Sequence, residues 1–397
     1  MKGNNMEKKN ILIIDDSALM RRVISDIIET DKRFSVIGAA INGIAGLSML
    51  HENMGKVDAV LLDINMPRMN GLEFLEEIKK QNLKVTVIVV SAVTTNEAIE
   101  TIRALELGAF DFVTKPEDPE ELRGDTFSNK LLNILAMATK LESAEKQRSV
   151  VTKPQMLKVS SPERDIEHDK SQEEVIENLK SILADITEKE TSIRKKRQVK
   201  KPLAKDKLVA IACSTGGPRA LHTIIPSLPK EIDAGIIIVQ HMPSGFTKSL
   251  AERLDLISQL PVKEAEDGEP LKKGVVYIAK GGRQLRVAKD KKGNHILKLT
   301  KEEPRFGLLP CADKMYESLI DTDFEEIICV VLTGMGSDGS AGIAELSKKK
   351  NIHVIAQDKN TSIVYGMPRM VKMTGLVDEV VPLNEVCDAI IKNVGVR

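Results

Sequence analysis

Asp15-Asp16, Asp63, Ser91 and Lys115 carry the chemistry available to the first third of the chain. They stand at or just after the short apolar runs NILIIDD, VDAVLLD, VTVIVVSA and GAFDFV. In a parallel α/β sheet, ligands sit beyond the carboxyl ends of the strands. All five residues therefore arrive at one sheet edge. Three carboxylates together repel one another and invite a hard divalent cation, Mg²⁺ with retained waters, with Asp15, Asp16 and Asp63 as its ligands. Beside that cation, Asp63 is a nucleophile toward phosphorus and forms an aspartyl phosphate. Lys115 offsets the new charge, and the Ser91 hydroxyl bonds a phosphoryl oxygen and draws its loop inward. Met66-Pro67 and Asn70-Gly71 shape the loop after Asp63, and Lys115-Pro116 is a candidate cis peptide.

A second set lies downstream. The run KLVAIAC leads into Ser214-Thr215-Gly216-Gly217-Pro218. A hydroxyl in a tight glycine-rich turn between strand and helix is exposed and close to backbone N–H groups. Pro218 suits the first helical position. Such a turn anchors an anion or presents a nucleophile. No G-x-x-x-x-G-K-S/T or G-x-G-x-x-G pattern is present, which weakens the phosphate-loop reading.

A nucleophilic serine needs a base, and the chain has six histidines. His51 lies in the N-terminal part, His168 in a polar segment and His295 in a hairpin region. His353 starts a strand, at the wrong end for a site, and a helix carries His222 away from the turn. His241 directly follows the run AGIIIVQ, at the same edge as Ser214, and is the expected general base. The orienting acid should also follow a strand. EIICVVL leads into Thr333-Gly334-Met335-Gly336-Ser337-Asp338-Gly339, which makes Asp338 the preferred acid; Asp358, after IHVIAQ, is its rival. Glycines around Asp338 let backbone N–H groups, Met335 among them, approach a developing oxyanion, where one donor is worth ~3 kcal/mol. The chain order Ser, His, Asp differs from the Ser, Asp, His of α/β-hydrolases.

Two scaffolds are needed to hold these sets. Residues 8–142 alternate five apolar strands with helical stretches around 42–54, 71–81 and 95–107 and a last helix in about 128–142. This pattern predicts a doubly wound parallel sheet. Residues 143–206 are polar and glycine-free, and end in the basic run IRKKRQVKKPLAKDK. They read as a linker, in which Val175, Leu179, Ile182 and Ile186 mark one face of a short helix. From 207 to 397 the alternation restarts, with glycine-rich turns between 262 and 300 that suggest inserted antiparallel hairpins.

Composition removes several function classes. Of 397 residues, 42% are apolar and 29% charged, so the chain has a core to bury. Aromatics are only 3%, and the 58 basic residues match the 58 acidic ones. Neither a base-stacking platform nor a global basic field for nucleic acid is present. No apolar run approaches the roughly 18 residues of a membrane span, and MKGNNMEKKN does not read as a signal peptide. The four scattered cysteines form no C-x-x-C pair, which points to a reduced, cytoplasmic protein.

The motifs IIDDSALMRR, LLDINMPRMNGLEFL, VVSA and DFVTKP resemble the receiver domain of two-component response regulators over about residues 8–140. The motifs ACSTGGP, QHMPSGF, LTGMGSDG and AQDKNTSIVYGMP resemble the catalytic domain of chemotaxis protein-glutamate methylesterases (CheB) over about 205–397. The resemblance implies a flavodoxin-like receiver joined to a mostly parallel, Rossmann-like α/β esterase domain. It implies phosphotransfer from a histidine kinase to Asp63, with Phe112 as the aromatic that moves with Ser91. It makes Ser214 the nucleophile, His241 the base, Asp338 its partner and Met335 an oxyanion donor. The substrate it implies is a glutamate methyl ester on chemoreceptor cytoplasmic helices, with glutamine deamidation as a second activity. The esterase reaction needs no cofactor, and the chain is expected to act as a monomer without nucleic acid or membrane insertion. Ala212-Cys213 stands where such enzymes usually carry Gly-Ala, and strand alternation points Cys213 away from Ser214. Two other readings remain: a receiver with a non-enzymatic binding domain, and an esterase for a different acyl substrate.

Overall fold

The computed structural model describes residues 8–116, 124–140 and 206–396. The expected linker helix around Val175–Ile186 lies outside these residues.

The N-terminal sheet contains β1 (Lys9–Ile14), β2 (Phe34–Ala40), β3 (Ala59–Asp63), β4 (Thr86–Ser91) and β5 (Asp111–Thr114). The strand order is β2-β1-β3-β4-β5 and every pairing is parallel. The helices are α1 (Ala18–Thr30), α2 (Gly43–Glu52), α3 (Gly71–Lys80), α4 (Thr95–Leu107) and α5 (Asp125–Ala138). Local chemistry sets their ends. Asn70 and Glu73 form a reciprocal capping box at the start of α3. The Thr94 hydroxyl caps α4, and Gly108 closes it at φ 114. Both faces of the sheet are covered, so Ile11 to Ile14, Ala59 to Leu62 and Val87 to Val90 are almost entirely buried. That accounts for their continuous apolar runs.

The C-terminal sheet has seven strands in the order β14-β13-β12-β6-β7-β9-β8. These are β6 (Lys207–Cys213), β7 (Ala234–Gln240), β8 (Val262–Glu264), β9 (Val276–Ile278), β12 (Glu326–Val331), β13 (Ile352–Gln357) and β14 (Glu379–Val381). Strands β10 (Gln284–Lys289) and β11 (His295–Thr300) form a separate antiparallel hairpin. The expectation of hairpins across 262–300 needs one correction. β8 and β9 pair parallel to each other and to β7, extending the main sheet. Each is only three residues long, too short for a periodic signal.

The helices here are α6 (Gly217–Ile224), α7 (Phe246–Ile257), α8 (Ala312–Ser318), α9 (Ser340–Ser347), α10 (Met367–Met373) and α11 (Val386–Val394). Tyr316, on α8, is fully buried, and its hydroxyl lies 3.1 Å from Ala210 O and 3.3 Å from Val330 O. It thus pins α8 to β6 and β12.

The two sheets share a boundary. Helix α4 packs on α6 and α7, and one buried apolar cluster runs from Ala98, Ile102 and Phe112 to Phe246 and Leu250. Among the described residues, no helix is long and apolar enough to cross a membrane.

Candidate active site and phosphorylation site

In the N-terminal sheet, the strand order reverses between the parallel neighbours β1 and β3, which opens a crevice at their carboxyl ends. Asp15 and Asp63 lie there buried, and Asp16 is exposed. Carboxylate oxygens of all three lie within 4.8 Å of one another. Lys115 Nζ stands 2.9 Å from Asp63 Oδ1 and 3.0 Å from Asp15 Oδ2. Burial pushes the Asp63 carboxyl up to about 6, against the pull of the Lys115 ammonium and with a further push from Asp15. A hard oxygen donor set with this charge excess suits Mg²⁺. The cis expectation for Lys115-Pro116 is corrected: the cis peptide among the described residues is Leu309-Pro310. Lys115 N–H bonds Ser91 O at 2.7 Å, continuing the β4–β5 pairing, and the long side chain reaches the acids from there.

Ser91 is turned toward α4. Its oxygen accepts from Thr101 Oγ1 at 2.8 Å and donates to Glu97 Oε2 at 3.3 Å. Glu97 Oε2 also accepts the Ala92 N–H at 2.5 Å. Neither Glu97 nor Thr101 carried a sequence signal; each matters only because α4 faces the end of β4. Phe112 stacks on Phe246 of the C-terminal sheet, with centroids 4.7 Å apart and planes at 22°.

The second crevice lies between the parallel strands β6 and β12, where the strand order again reverses. Ser214 leaves β6 beside His241, which leaves β7: Cys213 pairs with Gln240, and His241 N donates to Cys213 O at 3.1 Å. The turn after Ser214 is tightly held. Gln240 Nε2 donates to Ser214 O at 3.0 Å, and a Cβ on Gly217 would fall 1.9 Å from Gln240 Oε1. Gly216 takes φ 78 as the cap of α6, with Pro218 in its first turn. Cys213 is fully buried, and burial alone drives its thiol pKa far up, so it is no rival nucleophile.

His241 Nε2 donates to Asp338 Oδ2 at 2.7 Å. Asp338 is itself fixed from several sides. Ala312 N donates to Oδ2 at 2.6 Å; Asp313 N, Gly339 N and the Cys311 thiol donate to Oδ1 at 2.9, 3.0 and 3.1 Å. Burial works against ionisation, but the His241 hydrogen bond and these donors bring the Asp338 carboxyl down to about 2. The rival Asp358 is spent on its own turn, accepting the Thr361 N–H and hydroxyl. Among the described residues, Ser214 Oγ has no hydrogen bond to His241, whose Nδ1 is the nitrogen left for it. Gly334 lies against Ser214: a Cβ there would meet Ser214 Cβ at 2.8 Å and Ser214 N at 3.1 Å.

Helices α6 and α7 begin at the Ser214 turn and just past His241, and α4 packs on both. Glu106 Oε1 lies 2.6 Å from Arg253 Nε on α7 and 2.6 Å from His222 Nε2 on α6. Asp111 adds a contact at the Ser214 turn: burial raises its carboxyl pKa, opposed by a hydrogen bond from the Thr215 side chain. His222, set aside for catalysis, is thus a boundary residue.

Comparison with known proteins identifies the family of both parts of the chain. The family model described as "CheB methylesterase" matches residues 209–390, and "Response regulator receiver domain" matches 11–126. A protein-glutamate methylesterase/protein-glutamine glutaminase of Syntrophomonas wolfei is 37% identical over 97% of this chain and 99% of its own. The Pyrococcus horikoshii protein of that name is 37% identical over 98% of this chain and 94% of its own. The crystal structure of the Thermotoga maritima CheB methylesterase catalytic domain is 44% identical and covers 47% of this chain and 98% of its own, with a TM-score of 0.45. An α/β hydrolytic domain governed by a receiver is the class that the fold and comparisons define. The chain belongs to the CheB family of receiver-linked methylesterases.

Proposed function

We propose that this protein hydrolyses glutamate methyl esters on chemoreceptor cytoplasmic helices, deamidates glutamine at such positions, and is switched on by phosphorylation of Asp63. The observation that carries the reading is the 2.7 Å hydrogen bond from His241 to an ionised Asp338, at the strand ends where Ser214 emerges.

Ser214 Oγ attacks the ester carbonyl carbon while His241 Nδ1 takes its proton. Asp338 holds the imidazole through Nε2 and stabilises its protonated form. The oxygen that gains charge is held by backbone N–H groups, that of Met335 among them. The C–O bond to methanol then breaks, and His241 returns the proton to the leaving oxygen. Water, deprotonated by His241, attacks the acyl-serine and releases the glutamate carboxylate and free Ser214. A glutamine substrate gives the same acyl-serine with ammonia as the leaving group.

In the receiver, Asp63 Oδ attacks the phosphorus of a phosphohistidine, and the histidine nitrogen leaves. Asp15, Asp16 and Asp63 would hold Mg²⁺, which when bound neutralises charge on the phosphoryl oxygens. Lys115 pairs with the new phosphate, and Ser91 leaves Glu97 and Thr101 to bond it. That movement frees space for Phe112 to turn inward, away from Phe246. The boundary over α6 and α7 weakens, and the entrance to Ser214 opens. The protein acts in the cytoplasm as a monomer, with a histidine kinase as phosphodonor.

The test is methanol release from methylated receptor membranes, with and without acetyl phosphate. The wild-type chain should respond to the phosphodonor. Ser214→Ala should abolish release while Asp63 is still phosphorylated; substantial turnover by this variant would reject the triad.

A further inference from the structure

Asp313 is a buried acid that the mechanism above leaves without a task. It is 3% exposed, and its backbone N–H is itself one of the donors to Asp338. The two acids stand in a reciprocal arrangement. Asp338, just ahead of α9, accepts the N–H groups of Ala312 and Asp313 at the start of α8. Asp313, in the first turn of α8, accepts the Gly342 N–H in the first turn of α9 at 2.6 Å. Each carboxylate thus serves the other helix.

The two helices touch at backbone level there. A Cβ on Gly342 would meet Asp313 O at 2.6 Å and Asp313 Cα at 2.7 Å. Helix α8 is fixed to the sheet through the Tyr316 hydroxyl. Helix α9, which carries Asp338 at its head, has no such pin among the described residues. Its Ile343 and Leu346 pack in the core, and the Asp313 carboxylate is a polar tie between its first turn and α8.

We propose that Asp313 is a positioning residue for the triad: by holding the Gly342 N–H, it sets where Asp338 meets the imidazole of His241. This deepens the functional reading above and rests on it. A misplacement of about 1 Å in such a partner lowers turnover by roughly 10²-fold.

The experiment uses the full chain with Mg²⁺ and acetyl phosphate, assayed on methylated receptor membranes and on a small soluble ester. Asp313→Ala should lower kcat roughly 10–100-fold with little change in KM. The acid limb of kcat/KM should also move to lower pH, because a displaced carboxylate favours the protonated imidazole less. Asp313→Asn keeps the Oδ1 acceptor and should restore kcat to within about threefold of wild type, the size of a hydrogen bond retained. If Asp313→Ala fails to fold, the Asn variant still decides: a folded Asn protein with a large loss of kcat overturns the proposal. So does an Asp313→Ala protein with wild-type kcat, or one whose loss follows the unfolded fraction with an unmoved pH profile. A wild-type chain inactive on both esters would instead reject the functional reading.

Discussion

Replacing Glu106 with alanine removes the one carboxylate that α4 offers to both α6 and α7. Arg253 is 40% exposed, so solvent screens its 2.6 Å pair with Glu106 to about 0.5–1 kcal/mol. His222 Nε2 lies 2.6 Å from the same oxygen without forming a hydrogen bond, so the Arg253 pair alone sets the magnitude. That pair favours the docked receiver by about 0.5–1 kcal/mol, a factor of roughly 2–5 in the docking equilibrium. The assay is hydrolysis of a small ester by unphosphorylated protein, run beside the same protein saturated with acetyl phosphate. Basal turnover should rise by up to that factor, and the saturated rate should stay put, because the receiver has already moved. Arg253→Ala should act in the same direction, and the double variant should add less than the two single effects combined. A Glu106→Ala protein with wild-type basal turnover would refute the reasoning. An equal rise in both states would refute it too, since the change would then lie in the catalytic site.

Two other perturbations test separate parts of the structure. Asp63 is raised from 3.8 to about 6, a burden on the ionised folded state on the order of 3 kcal/mol. With its folded value above its unfolded one, stability falls as pH climbs from about 4 to 6. Asp63→Asn should therefore stabilise the metal-free receiver by about 2–3 kcal/mol at pH 8 and by little near pH 4, and Mg²⁺ should shrink the gain. Urea unfolding at the two pH values checks this, and an equal gain at both would contradict it. At the esterase site, burial pushes the Cys311 thiol up to about 12, so it stays protonated and donates to Asp338 Oδ1. Cys311→Ser keeps a donor there and should retain kcat, whereas Cys311→Ala should lose about fivefold, the size of one such hydrogen bond.

The placement of residues at strand ends was legible in the sequence, because a parallel sheet delivers side chains to one edge in a fixed way. Asp15, Asp63, Ser214, His241 and Asp338 all arrive where that rule puts them. Asp338 meets His241 because the glycine-rich loop returns toward β6, while Asp358 closes its own turn. What escaped the sequence are contacts between distant segments. Glu106 meets Arg253 across 147 residues, and Tyr316 reaches Ala210 across 106. No local period or motif records such pairs. His222 was set aside because its helix leads away from Ser214; that same direction brings it to Glu106. The three-residue strands β8 and β9 escaped because alternation needs more length to register.

The closed His241–Asp338 pair carries a kinetic consequence. The acid–base half of the machinery is complete while Phe112 still rests on Phe246. On the proposed reading, activation withdraws a cover and leaves the His241–Asp338 pair as it stands. The enzyme should reach full speed without a lag once the phosphoryl group arrives, and a chain lacking its receiver should turn over no faster than the fully switched one.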